Sequence, residues 1–123
     1  MPITVGGHDV RAYDDVVWKK VRQKFHIRDD FLADTHQFNF NWMDDGGGKG
    51  GNLMAFDRDR KFIVKELNGG DHAVLLRLCD QFSDHMSESR QGSLLARFYM
   101  HFTCAEAKKL TGGTSDTFVV SEW

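Results

Sequence analysis

Apolar positions recur every fourth residue at Tyr13, Val17, Val21 and Phe25. That spacing predicts a helix over 11–26 with one apolar stripe. Lys19, Lys20, Arg22 and Lys24 fall mostly off the stripe. A short helical turn is predicted over 29–34. Residues 36–43 then change to period two, with Phe38, Phe40 and Trp42 against Asn39 and Asn41. Such alternation predicts a half-buried strand. Five of the eight residues from Asp44 to Gly51 are glycine, which points to a hairpin tip.

Two further strands are predicted over 52–57 and 61–67, joined at Asp57-Arg58-Asp59-Arg60. Helical period returns over 71–87, with Leu75, Leu78, Phe82 and Met86 on the stripe and Val74 and Cys79 beside it. Asp71 follows Gly69-Gly70 and suits an N-cap or a first-turn acid. Residues 97–103 alternate again, Phe98, Met100 and Phe102 against Arg97, Tyr99, His101 and Thr103. A polar loop with Gly112-Gly113 leads to a last strand over 117–121. Hairpin-length connections argue for an α+β fold, an antiparallel five-stranded sheet with two main helices on one side. No repeat occurs, and the one proline is Pro2, so residues 1–123 form a single domain.

Composition narrows the function classes. Of 123 residues 41% are hydrophobic, with 10 Phe and 3 Trp, enough to build a core. The net charge of -2 gives no bulk attraction to nucleic acid, which is excluded as a partner. Cys79 and Cys104 are too few for a disulfide scaffold and are expected as buried thiols. The chain has no apolar run of membrane-spanning length and no signal-like start. The expected location is therefore cytoplasmic, at a membrane surface or in a large assembly. The six histidines lack metal-site spacing, and neither Cys-x-x-Cys nor Gly-x-Ser-x-Gly is present. No catalytic and no metal-binding residue is assigned. His26-Ile27-Arg28-Asp29 only mimics a catalytic His-Arg-Asp, since it precedes the glycine loop.

Three features carry candidate chemistry. Gly48-Lys49-Gly50-Gly51-Asn52 joins two predicted strands, and glycines let backbone N–H groups approach a phosphate; a plain flexible turn has the same composition. Lys65 ends an apolar run, Phe62-Ile63-Val64, on the side of Ile63 and Leu67. A lysine facing a core is costly unless paired or ligand-bound; on an edge strand it is simply solvated. Strand, glycine hairpin, strand, inward lysine and a helix with an early acid is a protein-kinase-like order. The Lys19, Lys20, Arg22, Lys24 cluster suits an anionic-lipid or phosphate contact as well as a solvated helix face.

These residues resemble the N-terminal lobe of the phosphatidylinositol phosphate kinases along residues 10–122. Tyr13 to Phe25, Ile27 and Asp29-Asp30-Phe31-Leu32 resemble the family's N-terminal helix and its continuation, with His26 where the family has Gly. Gly48 to Asn52 is similar to its Gly-Lys-Ser-Gly-Ser loop, with both serines lost. Asp59-Arg60-Lys61-Phe62-Ile63-Val64-Lys65 is similar to Asp-Asp-Arg-Phe-Ile-Ile-Lys. Leu94-Leu95-Ala96-Arg97-Phe98-Tyr99 resembles Leu-Leu-x-Arg-Phe-Tyr-Gly, whose Gly becomes Met100. Phe118-Val119-Val120-Ser121 resembles the strand before the hinge.

The resemblance implies a kinase N-lobe-like fold and ATP as ligand, with Gly48, Lys49, Gly50, Gly51 and Lys65 at its phosphates and Asp71 as an acidic partner. In the family the catalytic and metal-binding aspartates lie in a C-terminal lobe. The chain alone is thus expected not to phosphorylate a phosphoinositide, and Mg2+ is expected only with that lobe. Either the C-terminal lobe or another protein chain should cover an exposed apolar face. The alternative is a non-catalytic structural subunit or docking module. Lys19, Lys20, Arg22 and Lys24 would meet a phosphoinositide membrane surface.

Overall fold

In the computed structural model, residues 3–45, 53–88, 97–113 and 115–123 are described. The first strands form a hairpin, β1 (Ile3–Val5) and β2 (His8–Ala12), paired antiparallel. Its turn is Gly6-Gly7, both at positive φ (58° and 80°), the geometry a two-residue hairpin turn requires. The turn is docked: Gly6 N–H donates to the Leu32 carbonyl and Gly7 N–H to the Ala33 carbonyl, each at 2.8 Å.

Helix α1 runs Asp15–Lys24, shorter than the 11–26 expected. Arg11 and Ala12 belong instead to β2, opposite Thr103 and Phe102. Trp18 and Val21 are the buried residues of α1, together with Arg22. Residues 36–43 do not form the expected strand. Phe38 and Phe40 are both buried, while Trp42 is exposed. Asn39 accepts a hydrogen bond from the Asn41 N–H at 2.8 Å, and Phe40–Trp42 close one 3-10 turn. Asparagine side chains compete here with a sheet ladder for the backbone, so the alternation is that of a coil with two anchors.

Strands β3 (Asp44–Asp45), β4 (Leu53–Phe56) and β5 (Phe62–Glu66) follow, then α2 (Gly69–Glu88), β6 (Phe98–Thr103), α3 (Ala107–Thr111) and β7 (Thr117–Glu122). Asn68 rather than Asp71 caps α2, its Oδ1 accepting from the Asp71 N–H at 2.8 Å. Asp71 is the first-turn acid. The sheet order is β1-β2-β6-β7-β5-β4-β3, antiparallel throughout. The fold is thus α+β as expected, but the sheet is larger than five strands. Among the described residues six strands form the main ladder from β2 to β3, and β1 extends it beyond β2; there are three helices.

The central strands are covered on both faces. All four inner residues of β6, Tyr99 to Phe102, are buried, so its alternation does not separate core from solvent. On one face α1 and α2 pack against each other, with Trp18 and Phe82 edge-on to Phe98. On the opposite face Phe102 stacks on Phe118 at 5.4 Å, and Phe40 meets Phe118. There α3 lies against the 3-10 turn, so the helices are not confined to one side.

Candidate nucleotide groove

Strand β5 is central, bonded to β4 and β7. Alternation turns Phe62, Val64 and Glu66 to one face and Ile63 and Lys65 to the other. Met54, Lys65, Val119 and His101 are successive cross-strand partners on four neighbouring strands. They form one transverse row, and the start of α2 lies at its His101 end.

Lys65 lines a cavity of about 280 Å³ whose other walls include Leu67, Asp71, Val74, Leu75, Phe82, Phe98 and Val119. Lys65 is half-buried, and among the described residues its amine has no hydrogen bond or ion pair. Asp71 shares the cavity without pairing to it. One cation and one carboxylate therefore face a groove whose remaining walls are apolar. Such a groove can take a planar apolar group and offer a positive charge to an anion at one end. The neighbouring Glu66 points away: its Oε2 accepts from the Ser115 N–H at 3.2 Å.

Gly48, Lys49, Gly50 and Gly51 lie outside the described residues. The strands flanking them pair with Asp45 opposite Leu53, and the next residue, Met54, is the partner of Lys65. Lys65 therefore stands on the strand beside the one that follows that segment.

The four-residue basic cluster is divided. Arg22 is only 2% exposed and is no part of a surface patch. Its two terminal nitrogens donate to the Asp15 carboxylate at 2.8 Å, its Nε to Asp29 at 3.0 Å, and Nη1 also to the Tyr99 carbonyl at 2.8 Å. Burial alone would lower the guanidinium, but the two carboxylates outweigh it and hold its pKa above the usual value. The position one turn after Trp18 faces the sheet, so an arginine there needs partners, and the network supplies them. Lys19 pairs with Asp29 at 3.3 Å. Lys20 is exposed, and the Lys24 ammonium sits 5.5 Å from the Phe25 ring centre.

A histidine pair joins the start of α2 to β6. Nδ1 of His72 lies 2.8 Å from Nε2 of His101. His101 is fully buried, and its Nδ1 has no partner. Burial, and next the His72 ring, push the His101 pKa down to about 4, with Asp14 pulling weakly the other way. Both imidazoles lie 4.9 Å from the Tyr13 ring. Nothing in sequence spacing joins residues 72 and 101; only the crossing of α2 over β6 does.

Cys79 and Cys104 are both buried free thiols. Burial raises both pKa values, which makes them poor nucleophiles. Among the described residues no group of three or more His, Cys, Asp or Glu side chains is placed to hold a metal ion, and no helix is long and apolar enough to cross a membrane.

Residues 41–122, which carry β3 to β7 and both Lys65 and Asp71, match the profile of the phosphatidylinositol-4-phosphate 5-kinases. The chain is also similar to a phosphatidylinositol 4-phosphate 5-kinase of Schizosaccharomyces pombe, with 27% identity over 91 residues. That alignment takes in 72% of this chain but only 12% of the yeast protein's length.

Proposed function

Because the chain belongs to the phosphatidylinositol-4-phosphate 5-kinase family, we propose that it is the kinase N-lobe-like part that grips ATP. The observation that carries the reading is Lys65: a half-buried ammonium without a partner among the described residues, at the polar end of an apolar groove. An uncompensated cation in such a place is unfavourable until an anion arrives, and a triphosphate supplies one. Leu67, Val74, Phe98 and Val119 offer apolar wall for the rest of a nucleotide. Gly48 to Gly51, with Lys49, add backbone N–H groups and a charge from the neighbouring hairpin.

ATP would supply the phosphoryl group that the family moves to a phosphoinositide. The lobe's own residues bind and orient; Lys65 holds the phosphates, with Asp71 as the carboxylate lining the same groove. Phosphoryl transfer also needs metal ions and a positioned acceptor. In this reading those come with a second lobe, in the same polypeptide or on another chain, and Mg2+ enters with it. Val74 and Leu76, exposed large apolar residues of α2, suit cover by such a partner. The lysines of α1, Lys19, Lys20 and Lys24, without Arg22, would face an anionic lipid surface.

Titration of ATP into the labelled chain, followed by amide chemical shifts, tests this. Perturbations at Leu67, Val74 and Val119, lost in Lys65→Ala, are expected. Equal affinity in the wild type and Lys65→Ala would remove the site assignment.

A further inference from the structure

We propose that the His72–His101 contact is a proton-sensitive pin that seats the first turn of α2 over the groove. The argument begins with the row Met54, Lys65, Val119, His101. Lys65 and His101 flank Val119 on the same face. His72 sits on His101 at 2.8 Å, and its neighbour Asp71 lines the cavity with Lys65. The position of Asp71 relative to Lys65 is therefore fixed through His72. Otherwise the first turn of α2 is held by the edge of the Tyr13 ring against His72 and by Asn68, whose carbonyl accepts from the His72 N–H at 3.0 Å. Two glycines open the helix, and a Cβ added at Gly69 would meet nothing within 4 Å, so the side-chain packing of this end comes from His72.

The proton count makes the pin sensitive. A neutral pair has one N–H between the rings and one lone pair to receive it. His101 Nδ1 is buried without a partner, and a bare lone pair there costs less than a bare N–H. The favoured arrangement has His101 Nε2–H donating to His72 Nδ1. A proton added to the facing lone pair turns both facing nitrogens into donors, which removes the bond and places a charge beside a fully buried ring. The groups facing the pair are Tyr13 and Asp14 before α1; on α2 Asp71 turns to the cavity with Lys65. Asp14 favours the extra proton only weakly and does not rescue it. The pin is closed while the pair is neutral and opens when acid adds that proton.

The pin stands on this geometry, and only its effect on ATP rests on the proposed function. Amide hydrogen exchange on the full chain, at about pH 7.5 and about pH 5, separates the two. Protection of the His72 to Leu75 amides, corrected for intrinsic exchange, should fall roughly tenfold in acid. The β6 and β7 amides serve as reference and should fall by less. His72→Ala should be poorly protected at both values. His72→Gln can still accept from His101 but does not titrate, and should hold protection at both. An unchanged wild type, an equal loss in β6 and β7, or an acid response retained in His72→Gln would overturn the pin. ATP affinity that ignores pH while exchange responds would instead sink the groove assignment and leave the pin standing.

Discussion

Lys65 on β5 and Asp71 on α2 face one cavity, yet no ion pair joins them among the described residues. A lysine left open in this way is poised for an external anion. Lys65→Met should therefore lower ATP affinity at least tenfold, about 1.4 kcal/mol. It should leave stability unchanged or raise it by up to about 1 kcal/mol, since a half-buried charge is replaced by an apolar chain. Calorimetric titration and a thermal melt on the same sample check both signs.

Arg22 gives the opposite outcome. Its guanidinium ties α1 to Asp29 and to the Tyr99 carbonyl of β6. Arg22→Met leaves Asp15 and that carbonyl without their donor and should cost about 3 kcal/mol in urea unfolding. Lys20→Ala, on the exposed side of the same helix, should stay within about 0.5 kcal/mol.

Acid should weaken the fold through His101. The buried ring has its pKa lowered from 6.5 to about 4, so the unfolded chain takes a proton that the native chain refuses. The stability from this group is complete above the unfolded value and is lost as pH falls from 6.5 toward about 4. The full loss is on the order of 3 kcal/mol. Asp29, lowered by Arg22 and Lys19 against a desolvation that raises it, adds a loss of the same sign in stronger acid. Urea midpoints across this range should drop for the wild type and drop less for His101→Phe.

Gly6 is a third test of packing. It has φ of 58°, and a Cβ there would lie 3.1 Å from the Phe38 carbonyl oxygen. Gly6→Ala should cost about 1–2 kcal/mol from left-handed strain and that contact. Gly69→Ala, at a position with open space, should be neutral or slightly stabilising. Paired denaturant curves decide it.

The elements legible in the sequence were those with sustained period. The Leu75–Phe82 helix and the strands over 53–56, 62–66, 98–103 and 117–122 follow from local pattern. The β1–β2 hairpin is signalled by Val5-Gly6-Gly7-His8, a two-residue glycine turn between short strands, but β1 is only three residues long. The 36–43 segment misleads because Phe38 and Phe40 flank Asn39, whose side chain bonds the backbone N–H of Asn41. His101 and Tyr99 fall on the polar phase of β6, yet burial of both faces of a central strand erases that phase. Lys65 was legible as a lysine in an apolar run. Arg22 was misplaced because its partners, Asp29 and Tyr99, lie across a turn and across the sheet.

The most direct test of the central reading is covalent labelling with an acyl phosphate derivative of ATP, which acylates a lysine held beside the phosphates. Peptide mass spectrometry should find the label on Lys65 or Lys49, and free ATP should suppress it. Label spread over Lys19, Lys20 and Lys24, with no protection by ATP, would contradict a nucleotide site in this groove.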